Sequence, residues 1–492
     1  MRGMNMVMRL LVVGCLAGAC SQAHRGADVQ GTPADAEDLT GMELEMETAP
    51  DETIVDVGAE ADVVAPAFPR AFVIQEASEL LPGRDAVGRI GDFRIENNRI
   101  AAVIGGADHA IWGPYGGGVL DFTVAGGEDY FEEQFPIAGF LRGVRVESIE
   151  VVSDGADGEA LIRIQGKDGP IPLIAAVVPL PPAGVEVTVE YALRADSDCL
   201  EIRTSVSNDS DADIEVPVGD GIVFSESGRT YGSGAGFNAS ALAGQGEVAF
   251  LGADLPVLSY LLAPHAGGHM AVALLEEELN AVVYDSLTLA PGQSGTTKRC
   301  LYVATGRSIN VLNRYWEDRG KSLQDVQGTV QVKTPGYDFF QLSLELHREG
   351  EFFGAAGTDA DGALQFRVPV GEYTGTLTGP GVGPLDVSFN VALGQTTGPL
   401  QIDPADPGRI DVEIVDDQNS PVPARIMAQV GSDAGFGAPR VALVPDIQGR
   451  ATLFLPAGDY TVQGSHGPEW SYCRKSVTAG AGEQVALTCS IQ

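Results

Sequence analysis

The densest group of side chains that could do chemistry is a run of acids and aromatic rings at residues 128–133. Carboxylates can bind hydroxyl groups or act as general acid and base, and aromatic rings can pack on the apolar faces of a sugar. Two interpretations of this run stay open: a solvated loop with two or three aromatic rings in the core, or a ligand-binding surface. The candidate ligand-binding residues are Trp112, Tyr115, Asp129, Tyr130, Glu132 and, farther along the chain, Asp220.

Histidine and acid spacing gives no pattern for a metal. His265 and His269 stand four residues apart, but Pro264 and the Gly267–Gly268 pair favour a loop over a helix, and no Glu follows His265 to complete an HExxH motif. Residues 358–362 resemble the start of a calcium loop but lack the Glu at its twelfth position, so we expect a β-turn. We therefore predict no metal, no cofactor and no catalytic residue.

Four cysteines lie downstream of the leader and predict two disulfides. Cys473 and Cys489 are symmetric about Ala481 in a glycine-rich turn, so a hairpin would set their sulfur atoms opposite each other. Cys199 and Cys300 each open a strand-like run and are expected to be paired neighbours. The absence of CxxC spacing argues against metal ligation by these cysteines.

The first nineteen residues have the parts of a secretory signal, with Arg2 and Arg9 ahead of an apolar run from Leu10 to Ala19. The small residues before Cys20 resemble a bacterial lipobox, which implies lipidation of Cys20; Cys15 is a weaker second match, and an ordinary cleaved signal is the alternative. Residues 20–69 hold twelve acids and only one basic residue, which predicts an extended tether. Ser21 stands directly after Cys20, where an Asp often retains lipoproteins at the inner membrane, so the serine favours the outer membrane.

The rest of the chain is patterned as short strands. The apolar fraction is 44%, and alternation at residues 144–149, 185–189 and 200–206 predicts half-buried strands. Residues 171–180 are apolar on both phases, which predicts a strand between two layers. We expect an all-β protein with one large β-sandwich, of mutarotase-like build as one option, over residues 70–322, closed by a helix at 308–319.

An internal repeat follows the large sandwich. Residues 361–374 align without gaps onto residues 448–461, and each copy contains a turn, a strand, a Pro-x-Gly corner and a strand that begins near a tyrosine. The copies resemble carboxypeptidase-regulatory-type modules, small transthyretin-like sandwiches that serve as spacers or partner contacts. We place module 1 at residues 326–403 and module 2 at residues 407–492.

Two glycine- and aspartate-rich blocks carry a more specific resemblance. The first comprises residues 88–100 and 113–122, and the second comprises residues 216–220 and leads into the glycine-rich residues 232–237. Together with the two modules, they are similar to the amino-terminal, non-catalytic part of exported bacterial metallohydrolases of the CehA/McbA type. In that group a sandwich and spacer modules precede a polymerase-and-histidinol-phosphatase domain. None of the six histidines forms the His-x-His pair that this domain needs, so we expect the catalytic half to be missing.

These observations predict a lipid-anchored envelope protein with a binding or scaffolding role towards a carbohydrate or a partner protein. The net charge of −38 and the pI of about 4.3 exclude a general nucleic-acid binder. One alternative is a carbohydrate-active enzyme that uses acids of the large sandwich, among Glu128, Asp129, Glu132 and Asp220. Another is an accessory arm of a separately encoded metallohydrolase.

Overall fold

A computed structural model describes most of the chain downstream of the leader and tether. It describes residues 69–492 except 176–181, 226, 245, 277–278, 433–439, 447 and 468–469. The predicted signal at residues 1–19, Cys20 and the tether up to residue 68 lie outside the described residues.

The large sandwich contains one sheet of sixteen strands and one ribbon of two strands, β10 and β17. Its strands are β1 Arg70–Val73, β2 Phe93–Glu96, β3 Ile100–Ile104, β4 Val119–Val124, β5 Glu133–Ala138, β6 Arg142–Asp154, β7 Glu159–Pro170, β8 Val185–Arg194, β9 Cys199–Asn208, β10 Ile214–Val216, β11 Val218–Val223, β12 Arg229–Gly232, β13 Leu251–Asp254, β14 Leu258–Pro264, β15 Met270–Leu275, β16 Asn280–Tyr284, β17 Leu287–Leu289 and β18 Ser294–Thr305.

The long sheet runs in the order β1 to β9 and then β18, β14, β13 and β12, while β11 joins β5 to β16 and β16 pairs with β15. The sheet folds back on itself, because β4 lies against β18, and β1 lies against both β6 and β7. The predicted alternation is confirmed in β8 and β9, where Val187, Val189, Leu200 and Ile202 face one continuous core. The two layers therefore enclose a sandwich core.

Two small sandwiches follow, each made of a three-stranded and a four-stranded sheet. In both, the first strand pairs antiparallel with one neighbour and parallel with the other: β19 with β22 and β25, and β26 with β29 and β32. Their strands are β19 Gln324–Val330, β20 Ser343–Arg348, β21 Glu351–Gly357, β22 Ala363–Val368, β23 Gly371–Gly379, β24 Val382–Val391, β25 Thr397–Ile402, β26 Gly408–Val415, β27 Ala424–Val430, β28 Arg440–Asp446, β29 Arg450–Leu455, β30 Gly458–Ser465, β31 Tyr472–Ala479 and β32 Gln484–Ser490.

The sequence repeat corresponds to the same local contact in both copies. The Tyr373 hydroxyl donates to the Pro369 carbonyl at 2.9 Å, and the Tyr460 hydroxyl donates to the Pro456 carbonyl at 2.8 Å. Each tyrosine closes the Pro-x-Gly corner that precedes it. The expected fold class, an all-β chain with one large and two small sandwiches, is confirmed.

Helices are few and short in the described residues. They are α1 Pro172–Ala175, α2 Ala239–Gly244, α3 Ser308–Asp318 and the 3-10 turns Ala77–Glu79 and Phe339–Gln341. The predicted strand at residues 171–180 is wrong where the structure describes it, because Pro172 removes a backbone donor and residues 172–175 form one helical turn. Within the described part of the chain, no helix has the length and apolarity to cross a bilayer.

The predicted helix at 308–319 is confirmed as α3, with Gly320 in the left-handed region directly after it. Its apolar side packs against β18 and β14 of the large sandwich and also against β21 and β22 of module 1. At its start, the Ser308 hydroxyl accepts a hydrogen bond from the Ala355 amide at 2.9 Å. The helix therefore joins the two sandwiches instead of only closing the first.

Both disulfides are confirmed, but one has a different setting from the one predicted. Cys199 and Cys300 lie on the paired strands β9 and β18, with Cα atoms 5.4 Å apart. Cys473 and Cys489 were expected to face each other across a hairpin, yet β31 pairs with β30, and β32 pairs with β26 in the opposite sheet. The second disulfide therefore links the two sheets of module 2 through its core.

Candidate functional site

Trp112 is a surface aromatic ring on a loop that is held from beneath. The loop, residues 105–118 between β3 and β4, is called the Trp112 loop below. Trp112 is 41% exposed, and its indole N–H donates to Glu132 Oε2 at 2.9 Å. The buried Glu133 Oε2 accepts the backbone N–H groups of Ile111 at 3.0 Å, of Trp112, and of Gly113 at 2.9 Å. The ring is thus fixed through both its side chain and its backbone.

Tyr115 lies on the same loop, against two glycines of neighbouring strands. Gly143 of β6 and Gly169 of β7 are directly paired. A Cβ atom on Gly143 would lie 3.3 Å from Tyr115 Cδ2, and a Cβ atom on Gly169 would lie 2.7 Å from the Tyr115 hydroxyl oxygen. The hydroxyl donates to the Pro170 carbonyl at 2.7 Å. Glycine at both positions makes room for the half-buried ring, which lies three residues after Trp112 on the same loop.

Tyr130 and Glu132 lie partly exposed just before β5. The Tyr130 hydroxyl donates to Glu128 Oε2 at 2.9 Å, which raises the pKa of that hydroxyl, and its amide donates to the Tyr260 hydroxyl at 3.2 Å. Phe131 between them points into the core, where it packs edge-on against Phe122 with ring centroids 6.1 Å apart. The run at 128–133 therefore alternates between surface and core.

Asp129 does not belong to that surface. Its side chain is fully buried, and Oδ1 accepts the backbone N–H groups of Phe122 at 2.8 Å and Phe131 at 3.2 Å, while Oδ2 has no partner among the described residues. Burial, reinforced by the nearby charge of Asp121, raises the pKa of Asp129 to about 8. Asp129 is thus a core carboxyl group that holds β4, at Phe122, to the turn before β5.

Asp220 is also a core residue, at the centre of a polar network. It accepts two hydrogen bonds from the fully buried Arg299 and one each from Gln134 Nε2 at 2.7 Å and the Tyr284 hydroxyl at 2.6 Å. Arg299 also donates to Thr204. The network joins side chains of β5, β9, β11, β16 and β18, and it keeps Asp220 away from solvent.

The burial of Asp129 and Asp220 bears on the enzyme alternative. General acid and base must reach a substrate within hydrogen-bond distance. Of the four acids considered, only Glu128 and Glu132 are accessible, and these two bind Tyr130 and Trp112. The two accessible acids are therefore each engaged by a different aromatic side chain and not by each other.

Sequence reasoning missed two carboxylates that hold the neighbouring loops. Asp121 accepts the amides of Val87 at 2.8 Å and Gly88 at 3.1 Å, and burial raises its pKa to about 6. Asp92 accepts the Gly106 amide at 2.8 Å and contacts His109 Nδ1 at 2.7 Å. The available signal was the pair of segments at 88–100 and 113–122, which the contact between Asp121 and Gly88 brings together.

The remaining motifs occur as turns. His265 and Gly268 close a turn between β14 and β15, as predicted, and the exposed His269 contacts Asp285 at 3.2 Å. Asp359 Oδ1 accepts the amides of Asp361 at 3.0 Å and Ala363 at 2.8 Å, which confirms the expected β-turn. Throughout the described ranges, no three His, Cys, Asp or Glu side chains are grouped as metal ligands would be.

Comparison with known proteins finds only distant structural likeness. No protein family matches the chain, and no curated protein matches it. A putative aldose 1-epimerase from Escherichia coli K12 is 12% identical with a TM-score of 0.28, covering 43% of this chain and 98% of its own. A galactose mutarotase-like protein from Lactobacillus casei is 12% identical with a TM-score of 0.29, covering 44% of this chain and 100% of its own. A streptococcal ancillary pilin is 14% identical with a TM-score of 0.19, and the match covers 46% of this chain and 81% of the pilin.

Proposed function

We propose that this chain is an exported binding protein that holds a carbohydrate on the Trp112 loop. The observation that carries the proposal is the exposed Trp112 indole, fixed by Glu132 at its edge and by Glu133 beneath its backbone. Exposed aromatic rings on a monomeric surface are common singly, but a ring held in one position offers a flat apolar face at little cost in conformational entropy.

The chemistry around the ring suits a sugar. A pyranose presents an apolar face of C–H groups and an edge of hydroxyl groups. Trp112 and Tyr115 offer aromatic surface for the first, and the carboxylate at the indole edge offers acceptor oxygens for the second. The Trp112 loop needs no rearrangement to present these groups, because buried carboxylates already satisfy its backbone amides.

We also propose export and membrane anchoring through a lipid on Cys20. The two disulfides support export, since such bonds persist in oxidising compartments outside the bacterial cytoplasm. The acidic stretch between Cys20 and β1 would repel itself and hold the sandwich away from an anionic membrane surface. An outer-membrane location is part of this proposal.

A second role, that of a rigid arm for a partner such as a separately encoded hydrolase, is favoured by the contacts between the three sandwiches. Phe352 of module 1 packs on Tyr231 of the large sandwich with ring centroids 5.8 Å apart, and Tyr337 packs on Phe454 of module 2 at 5.0 Å. Thr334 also donates to the Pro407 carbonyl at 2.6 Å. The resemblance to spacer modules of exported metallohydrolases agrees with such a role.

The binding proposal is tested by a glycan-array screen of the full-length protein in detergent, followed by titration calorimetry on the best ligand. Trp112→Ala should weaken binding at least tenfold, because the stacking face is lost. Trp470→Ala is the matched control, since Trp470 is similarly exposed at 36% but lies in module 2. Equal loss in both variants, or binding that survives Trp112→Ala, would refute a site on the Trp112 loop.

A further inference from the structure

We infer that the carbohydrate bound beside Trp112 carries a carboxylate, as a uronic acid does, and that Arg145 binds this group next to the ring of Tyr115. The inference rests on the proposed function and names the class of sugar. It follows from the strand register beneath Tyr115 and from the ion pairs of that surface.

Arg145 and Lys167 continue the surface that begins under Tyr115. Tyr115 covers the paired glycines Gly143 and Gly169, and Arg145 and Lys167 are the pair two residues away along the same strands. Alternate residues of a strand point to the same side of a sheet, so both cations lie on the face that carries the tyrosine. Two residues correspond to roughly 7 Å, about the length of one sugar unit.

Arg145 makes no ion pair with a carboxylate of a described residue, because the two nearest acids contact Lys167 instead. Lys167 contacts Glu186 at 2.9 Å and Glu147 at 3.8 Å. No carboxylate of a described residue lies within 4.0 Å of the exposed Arg145 guanidinium, which instead stands directly opposite Lys167. Like charges at directly opposed positions destabilise a sheet, and acids outnumber bases in this chain 68 to 30. A cation in such a place, beside an aromatic ring, is accounted for if a ligand supplies its counter-ion.

A guanidinium and a carboxylate match in geometry, because two parallel N–H groups can donate to the two carboxylate oxygens. The net charge of −38 opposes the approach of an anionic glycan. At physiological salt, repulsion from distant acids is screened beyond about 8 Å. A carboxylate in contact with Arg145 is closer than this distance, so its attraction to the guanidinium persists while the repulsion from distant acids is screened.

The test compares acidic oligosaccharides with their own methyl esters, which keep the sugar chain and remove the charge. Hexamers of galacturonate, mannuronate and hyaluronan, each beside its ester, are titrated into the full-length protein in about 0.15 M salt. We expect at least one acid form to bind roughly tenfold more tightly than its ester, the size of one charged hydrogen-bonded contact. Arg145→Gln should reduce that preference to twofold or less while leaving ester binding unchanged.

Arg194→Gln is the charge-matched control. Arg194 is exposed on β8, on the sheet face that also carries Lys167, and it forms an ion pair with Glu159. It lies roughly 26 Å along the strands from Lys167. It should keep the full acid preference. Ester and acid forms that bind equally, with Arg145→Gln silent, would overturn the carboxylate site and leave the proposed function standing. Absence of binding to every oligosaccharide, here and on the glycan array, would overturn both.

Discussion

Arg299 and Asp220 form a two-pronged ion pair in the interior of the large sandwich, with Nε 2.9 Å from Oδ2 and Nη2 2.6 Å from Oδ1. Both side chains are fully buried, on β18 and β11. Because β18 follows β9 in the long sheet while β11 pairs with β5 and β16, the pair ties separate parts of the folded sheet together.

We predict that Asp220→Ala lowers the free energy of unfolding by about 3–5 kcal/mol, because it leaves the Arg299 guanidinium buried without a counter-charge. The double variant Asp220→Leu, Arg299→Met should lose less than Asp220→Ala alone, since it removes both charges. Urea denaturation followed by circular dichroism measures both. A double variant less stable than the single one would contradict this view of the pair.

Asp129 should make the protein less stable as the pH rises. Its pKa is raised to about 8 in the folded state from the ordinary value of 3.8, so the folded state keeps a proton that the unfolded state releases. The stabilising contribution is complete below pH 4 and is lost as pH rises to about 8, at a slope of up to about 1.4 kcal/mol per pH unit.

Asp129→Asn is the variant that isolates this effect, because the amide is neutral at every pH while its oxygen can still accept the Phe122 and Phe131 amides. Unfolding free energies between pH 4 and pH 9 should fall less steeply in the variant than in the parent. Asp108→Asn, on an exposed side chain, is the control. Identical pH profiles for parent and Asp129→Asn would show that Asp129 is ionised in the folded state.

The parts of the fold that follow from local pattern were predictable, and those that follow from long-range pairing were not. Alternation of apolar and polar residues located β8 and β9, and the helix expected at residues 308–319 corresponds to α3. The partners of β32 could not be read from the sequence, because a parallel pairing with β26 spans more than 70 residues and leaves no local signal.

The candidate site shows the same division. Trp112, Tyr115, Tyr130 and Glu132 were recognised by residue type and lie at the surface. Asp129 was grouped with them although it is buried. Successive side chains of residues 128–133 alternate between the surface and the core, and residue type alone does not show which of them point inwards. Arg145 was not among the sequence candidates, since its position two residues from a glycine beneath Tyr115 is seen only in the structure.

The Cys473–Cys489 disulfide should stabilise module 2 strongly. It closes a span of 16 residues and joins opposite sheets, and loop-closure entropy gives about 3 kcal/mol for a loop of this size. We expect Cys473→Ser with Cys489→Ser to lower the free energy of unfolding by about that amount, measured in urea without reductant. Peptide mapping of the parent without reduction should recover the two cysteines linked. An unchanged denaturation midpoint in the double variant would contradict a stabilising role.

Lipidation of Cys20 predicts that Cys20→Ala moves the protein out of the membrane fraction. In this proposal the acyl chains would supply the membrane affinity, since the acidic stretch after Cys20 would be repelled by anionic lipid. Detergent-phase partitioning of cell extracts measures the change, with Cys15→Ala as the matched control that should stay in the detergent phase. A Cys20→Ala protein that remains in the detergent phase after processing would contradict the anchor.

The central claim, a carbohydrate on the Trp112 loop, is tested most directly by fluorine NMR of protein labelled with 5-fluorotryptophan. The chain has three tryptophans, Trp112, Trp316 and Trp470, so three resonances are expected, and Trp112→Phe assigns the first. On addition of the tightest-binding oligosaccharide, we predict that the Trp112 resonance shifts in a saturable way while those of Trp316 and Trp470 stay in place. Saturable binding that leaves the Trp112 resonance unmoved, or that moves Trp470 instead, would contradict the account.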